Sequence, residues 1–186
     1  LRDLIGQCRN KVVARLEVYR WIVFNTMVGN SDAHLKNISF LVDQDGKRVA
    51  PFYDLLSTAV YHTRAYSDGD AVWPNEKLAS PIAGANFFSD VTYEKLIDTG
   101  MQLGLTKPTA AREVGKIVGK LKEAADEIAA KLEANMRNPG ASQGAPTHET
   151  MGAESRLLRS IRMIVIADML ARVRLPAQPV VDAGAG

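Results

Sequence analysis

Gly29-Asn30-Ser31-Asp32-Ala33-His34-Leu35-Lys36-Asn37 is the densest cluster of reactive side chains in the sequence. It holds the amides of Asn30 and Asn37, the Asp32 carboxylate, the His34 imidazole and the Lys36 ammonium. The run before it reads as a buried helix over residues 11–28. There Val12, Val13, Leu16, Tyr19, Ile22, Val23, Thr26 and Met27 recur at three- and four-residue spacing, and Gly29-Asn30 suits a helix C-terminus. The run after it reads as a β-hairpin over residues 38–53. Ile38-Ser39-Phe40-Leu41-Val42 is rich in strand formers, Asp43-Gln44-Asp45-Gly46 has turn chemistry, and Lys47 to Tyr53 is the return strand. A polar loop held between two rigid elements is where reactive groups are usually presented.

The hairpin leaves from Asn37 and returns at Asp54, so antiparallel pairing is expected to bring its two ends together. Asp32, Asn37 and Asp54 then share one site despite their separation in sequence. Phosphoryl transfer needs such a set. A carboxylate orients the attacking hydroxyl and accepts its proton. A few hard oxygen donors hold Mg²⁺ and leave room for phosphate oxygens. In protein kinases these parts are a catalytic-loop Asp, an Asn five residues on, and an Asp beyond the next hairpin. Asp32 and Asn37 stand five residues apart, with Asp54 a hairpin later.

These residues resemble the HipA-type serine/threonine kinases. That family carries an Asn-x-Asp-x-His-x-Lys-Asn loop, matched here by Asn30, Asp32, His34, Lys36 and Asn37. It also carries a Tyr-Asp motif followed by Leu and small residues, matched by Tyr53-Asp54-Leu55-Leu56-Ser57-Thr58. The approach helix, Glu17 to Asn25, is similar in character. Leu78 to Asp90 looks like the family's Leu-Ala…Ile-Gly-Gly segment, with Gly84 kept and Ala85 in place of the second Gly. The likeness is strong over residues 10–105 and architectural beyond.

The resemblance implies Asp32 as catalytic base and Asn37 and Asp54 as Mg²⁺ ligands. His34 would donate to the γ-phosphate or order the loop. Asn30 and Lys36 would hold the loop's shape or touch nucleotide from its rim, as part of the ATP site. It implies Mg²⁺ and ATP as cofactors and a protein Ser/Thr as acceptor. In the family such kinases are often the toxin half of a bacterial toxin–antitoxin pair. The partner is then a small DNA-binding, HipB-like antitoxin, and some members target an aminoacyl-tRNA synthetase.

Each residue also has a plain structural reading. Asp32 could satisfy turn amides, Asp54 could cap a helix, His34 could brace the loop, and Lys36 could be a solvated charge. Their joint occurrence at kinase spacing favours chemistry. Two other functions remain open at this point: a phosphotransferase for small molecules, and a non-catalytic pseudokinase used for binding.

The rest of the sequence sets bounds. Its 186 residues suit one domain or one lobe, and 46% hydrophobic with 24% charged residues is ordinary for a globular chain. A net charge of +2 gives no bulk reason to expect nucleic-acid or membrane binding. The one cysteine, Cys8, excludes an internal disulfide and suits a reducing cytoplasm. No apolar run reaches the roughly 18 residues of a membrane span. Helices are expected at 91–104, 109–136 and 152–173, an irregular stretch at 54–90, a flexible loop at 138–150 and a disordered tail at 176–186.

The expected fold is mainly α, a protein-kinase-like C-terminal lobe over residues 1–175 with one small β-hairpin. No G-x-G-x-x-G occurs in the sequence. The glycine-rich lid and strand lysine of a kinase are therefore expected in an N-terminal lobe upstream of Leu1.

Overall fold

The computed structural model describes residues 1–137 and 148–175. A short helix α1 (Arg2–Gly6) leads into α2 (Lys11–Met27), the element on which the rest is built. The Asn10 side chain accepts a hydrogen bond from the Val13 N–H and so satisfies one of the free amides that open α2. Along α2 the core face runs through Ala14, Val18, Trp21 and Asn25, with Tyr19, Val23 and Met27 also fully enclosed. The expected stripe is wrong at its start. Val12 and Val13 are 61% and 44% exposed, because at 3.6 residues per turn they fall off the face that Ala14 begins.

Two further helices pack on α2: α3 (Tyr93–Gln102) and α4 (Lys107–Arg137). Tyr19 joins all three. Its buried phenol donates to the Leu96 carbonyl oxygen at 2.9 Å and lies 3.4 Å from that of Ala110. Gly100 makes the approach possible. A Cβ there would sit 2.7 Å from Ala110 Cβ and 2.9 Å from the Tyr19 ring, closer than packed atoms tolerate.

The α2–α4 contact also holds a charge. Glu113 is buried, yet its carboxylate receives Arg20 Nε at 2.7 Å and Lys116 Nζ at 3.2 Å. The Arg20 hydrogen bond, opposed by burial, holds the Glu113 carboxyl below the usual carboxylate range. The folded protein therefore binds that proton less readily than the unfolded chain. The resulting stabilisation is complete above the unfolded pKa and is lost as pH falls through the folded value. Arg20→Met is expected to cost about 1–3 kcal/mol at neutral pH by removing the first partner of a buried charge. In urea melts, the deficit against wild type should shrink below about pH 4; a deficit independent of pH would refute this account.

The first expected hairpin is present. Strands β1 (Phe40–Asp43) and β2 (Gly46–Val49) pair antiparallel with Phe40 opposite Val49 and Asp43 opposite Gly46. A second hairpin, β3 (Lys77–Ile82) with β4 (Ala85–Phe87), lies inside the stretch expected to be irregular. Its signal is hidden for two reasons. Lys-Leu-Ala-Ser-Pro-Ile has no alternation and contains a proline. The two-residue turn uses Ala83 at φ +44° and Gly84 at φ +81°, a left-handed pair normally spelled Asn-Gly. Ala85 begins β4, so the position where the family's second Gly was missed is ordinary strand; the strained residue is Ala83.

The helices expected at 91–104 and 109–136 appear as α3 and α4. The last helical stretch starts at His148 rather than 152. It runs through α5 (His148–Ser160), a π-helical segment Ile161–Ile166 and α6 (Ala167–Arg172). The expected loop at 138–150 therefore ends earlier than predicted, and its positions 138–147, like the tail 176–186, lie outside the described residues. The π segment packs Val165 and Ile166 into the core beside the end of α2. The described residues are thus mainly helical, with two small hairpins instead of one. Cys8 is a buried free thiol, raised in pKa by that burial. Among the described residues no helix is long and apolar enough to cross a membrane.

Candidate active site

The reactive loop begins where α2 ends. Gly29 takes φ +70°, and a Cβ on it would lie 2.5 Å from Val165 Cγ1 and 3.1 Å from Ala59 Cβ. Only glycine lets the chain turn there against the π segment. Asn30 then sits fully inside the turn. Its Nδ2 donates to Asn25 Oδ1 at 2.7 Å and to the Asp54 carbonyl oxygen at 2.9 Å, while its Oδ1 accepts from the Asp32 N–H at 3.1 Å. One buried amide thereby links the approach helix, the Asp32 backbone and Asp54.

Other contacts lock the same two segments together. Gly29 O accepts from the Ala59 N–H at 2.9 Å. Thr58 Oγ1 accepts from the Ser31 N–H at 2.8 Å and lies 2.9 Å from Ser31 Oγ. Tyr53 Oη donates to the Lys36 carbonyl oxygen at 2.8 Å. The hairpin therefore does return Asp54 to the loop. Asp54 itself holds φ +52°, a conformation that Asp tolerates better than most residues.

His34 bridges the side chains of Asp32 and Asn37. Its Nε2 lies 3.0 Å from Asp32 Oδ1 and its Nδ1 3.1 Å from Asn37 Oδ1. Asn37 Nδ2 donates to the Asp32 carbonyl oxygen at 3.4 Å, which fixes which end of the amide faces the ring. Both partners of the imidazole are thus acceptor oxygens. Of the two roles implied for His34, this geometry carries the ordering of the loop. In an intact kinase of the kind the family resemblance implies, His34→Ala is expected to lower turnover about 10–100-fold by loosening Asp32 and Asn37, with little change in thermal stability. Steady-state kinetics check it, and unchanged turnover would overturn it.

The outcome for the six expected residues is uneven. Asp32 is surface-facing, its side chain 64% exposed. Asn37 is buried at the loop's rear and Asp54 is exposed. Asn30 is a structural tie with its amide committed to protein partners. Lys36 is exposed, and it is its backbone carbonyl that takes part in the loop's bonding. Asn25 and Thr58 also contact the loop, although the sequence reading gave them no role of their own. Asn25 carried a usable signal: a carboxamide on the apolar face of α2, where a buried polar group needs a partner.

The donor set suits Mg²⁺. Among the described residues the Asp54 carboxylate makes no hydrogen bond or ion pair, and Asn37 Oδ1 keeps a lone pair beyond its contact with His34. No group of three or more His, Cys, Asp or Glu side chains among the described residues is gathered to hold a metal. One carboxylate and one amide oxygen are what Mg²⁺ takes when phosphates and water complete its shell.

Known proteins resemble this chain in sequence and in fold. A HipA protein of Shewanella oneidensis, named a serine/threonine-protein kinase toxin, is 43% identical over 61 residues, a stretch equal to 33% of this chain and 14% of that protein. A solved structure of the HipA, HipB and operator DNA complex from Shewanella oneidensis MR-1 superposes with a TM-score of 0.60 at 23% identity, over 91% of this chain and 36% of the matched one. This chain thus spans about a third of its solved neighbour, and the likeness establishes the fold. The sequence model described as the HipA-like C-terminal domain matches residues 1–136. With the loop, the hairpin and the returned Tyr-Asp all in that span, this chain belongs to the HipA-like C-terminal domain family.

Proposed function

We propose that this chain is the catalytic lobe of a kinase that transfers the γ-phosphoryl group of ATP to a protein serine or threonine. The observation that carries the reading is the Asn30 amide, which ties the Asp32 backbone to Asp54 and so assembles a base and a metal donor from two distant segments. Asp32 orients the acceptor hydroxyl and takes its proton as the oxygen attacks the γ-phosphorus. The bond from that phosphorus to the β,γ-bridging oxygen breaks, and ADP leaves. Asn37 and Asp54 would hold Mg²⁺, which when bound neutralises charge on the phosphates.

The glycine-rich G-x-G-x-x-G lid of a kinase does not occur in these 186 residues, and the strand lysine that works beside it belongs to the same lobe. They are proposed to come from a preceding lobe, in keeping with the share of the solved neighbour that this chain spans. The isolated chain is therefore expected to turn over ATP negligibly. ATPase and autokinase assays on the 186-residue chain, alone and joined to an N-terminal lobe, test this; turnover by the isolated chain at an ordinary kinase rate would refute it. A HipB-like DNA-binding antitoxin is the proposed partner, because the solved neighbour is bound to HipB on operator DNA. A cytoplasmic location follows from that proposed partnership. An aminoacyl-tRNA synthetase remains the proposed class of protein substrate on the family resemblance alone.

A further inference from the structure

Behind the reactive loop two buried carboxamides stand end to end. Asn25, in the last turn of α2, is 2% exposed, and Asn30 is 3% exposed. Asn25 Nδ2 donates to the Trp21 carbonyl oxygen at 2.8 Å, and Asn25 Oδ1 accepts from Asn30 Nδ2 at 2.7 Å. Asn30 Nδ2 also donates to the Asp54 carbonyl oxygen at 2.9 Å, while Asn30 Oδ1 accepts from the Asp32 N–H at 3.1 Å.

The ends of this chain of bonds fix its direction. The Trp21 and Asp54 carbonyl oxygens can only accept, and the Asp32 N–H can only donate. Turning Asn25 alone would set its oxygen against the Trp21 oxygen and its nitrogen against that of Asn30. Turning Asn30 alone would set its oxygen against those of Asn25 and Asp54. Turning both repairs the bond between them but leaves both carbonyls and the Asp32 N–H facing like groups. Unpaired polar groups are costly in a site this buried, so one orientation is selected. All three end groups are main-chain atoms, which no side-chain exchange removes.

We propose that Asn25 is a positioning residue for phosphoryl transfer: it fixes which end of the Asn30 amide faces Asp32 and which faces Asp54, and so sets the proposed base against the proposed metal donor. It acts through Asn30. Asp54 is where such a tie is needed. At φ +52° its backbone is strained, and a strained conformation persists where surrounding bonds over-determine it. The Asn30 amide supplies one of those bonds, and Asn25 holds the amide in the orientation that can supply it. The inference rests on the proposed kinase reading and adds a residue of α2 to it.

The test has two arms. On the 186-residue chain, hydrogen exchange reads the Asp32 N–H without any need for activity. Asn25→Leu, close in shape but without polar atoms, should speed exchange at Asp32 by about tenfold or more and leave the α2–α4 core amides unchanged. Asn25→Ser keeps a donor for the Trp21 carbonyl but is too short to reach Asn30. It should have the same effect on Asp32, and it serves if the Leu variant does not fold. On the chain joined to an N-terminal lobe, either variant should lower kcat about 10–100-fold, with the KM for ATP within about twofold of wild type. Asn30→Ala should lower kcat at least as much. The double variant Asn25→Leu with Asn30→Ala should be no slower than Asn30→Ala alone, because the two residues act as one unit.

Unchanged exchange at Asp32 in a folded Asn25 variant would overturn the proposal, as would unchanged kcat. Losses that multiply in the double variant would also overturn it, since Asn25 would then act by a route other than Asn30. Failure of the kinase reading looks different: exchange at Asp32 still answers to Asn25, but the wild-type chain joined to its N-terminal lobe transfers no phosphoryl group to any serine or threonine.

Discussion

Asp32→Asn is expected to reduce phosphoryl transfer about 10²–10⁴-fold when measured in the kinase that carries this lobe. The substitution keeps the shape of the side chain and leaves an oxygen facing His34 Nε2. It removes the basic oxygen proposed to take the hydroxyl proton. Because the Asp32 backbone is held by Asn30 and Asn37, the loop should keep its form, and the loss should fall on kcat with the KM for ATP nearly unchanged. Asp54→Asn offers the contrast. It removes the carboxylate without partners that is proposed to hold Mg²⁺, so its defect should appear in the dependence of rate on Mg²⁺ concentration and be partly relieved by excess metal. If Asp32→Asn retained activity within a few-fold of wild type, the assignment of the base would be wrong. If both variants showed the same metal-dependent loss, the division of roles would be wrong.

Gly29→Ala should be among the most destabilising single-methyl additions available to this chain. Two costs combine. An L-residue at φ +70° is strained by about 1 kcal/mol, and the new Cβ would lie 2.5 Å from Val165 Cγ1, an overpacking that costs about 1–3 kcal/mol. The expected loss is about 2–4 kcal/mol in denaturant melts, with the loop and the π segment forced apart. The double variant Gly29→Ala with Val165→Ala separates the two terms. Removing Cγ1 should relieve the clash and leave the backbone strain, so the two changes should be non-additive by about 1 kcal/mol or more. Strict additivity would mean that Gly29 and Val165 are not in contact. Gly29 stands three residues before Asp32, so the same variant should also lower activity even at temperatures where it remains folded.

Much of the site was legible from residue order. Asp32 and Asn37 lie on one short loop, and local chain geometry nearly suffices to relate them. Asp54 was reachable because the turn chemistry of Asp43-Gln44-Asp45-Gly46 makes the intervening hairpin predictable, and a hairpin returns its ends to the same place. The second hairpin was not legible. Its turn uses Ala83 in a left-handed conformation, and its strand has no alternating pattern, so tertiary packing against α3 rather than local propensity selects it. The exposure of Val12 and Val13 was likewise invisible, because a helix carries apolar residues on more than one face and only its neighbours decide which face is covered.

The roles of Asn30 and His34 mark the same division. Sequence alone determined that they belong to an Asn-x-Asp-x-His-x-Lys-Asn loop of the HipA type, because residue types at fixed spacing identify a local chain geometry. Tertiary structure alone decided what they do there. Asn30 is an internal tie because the Asp54 backbone, 24 residues on, presents a carbonyl oxygen to it. His34 braces the loop because Asp32 and Asn37 both turn acceptor oxygens toward its ring. Hydrogen-bond partners are set by where the chain returns, and the long-range packing of α2, the hairpin and the π segment decides that return.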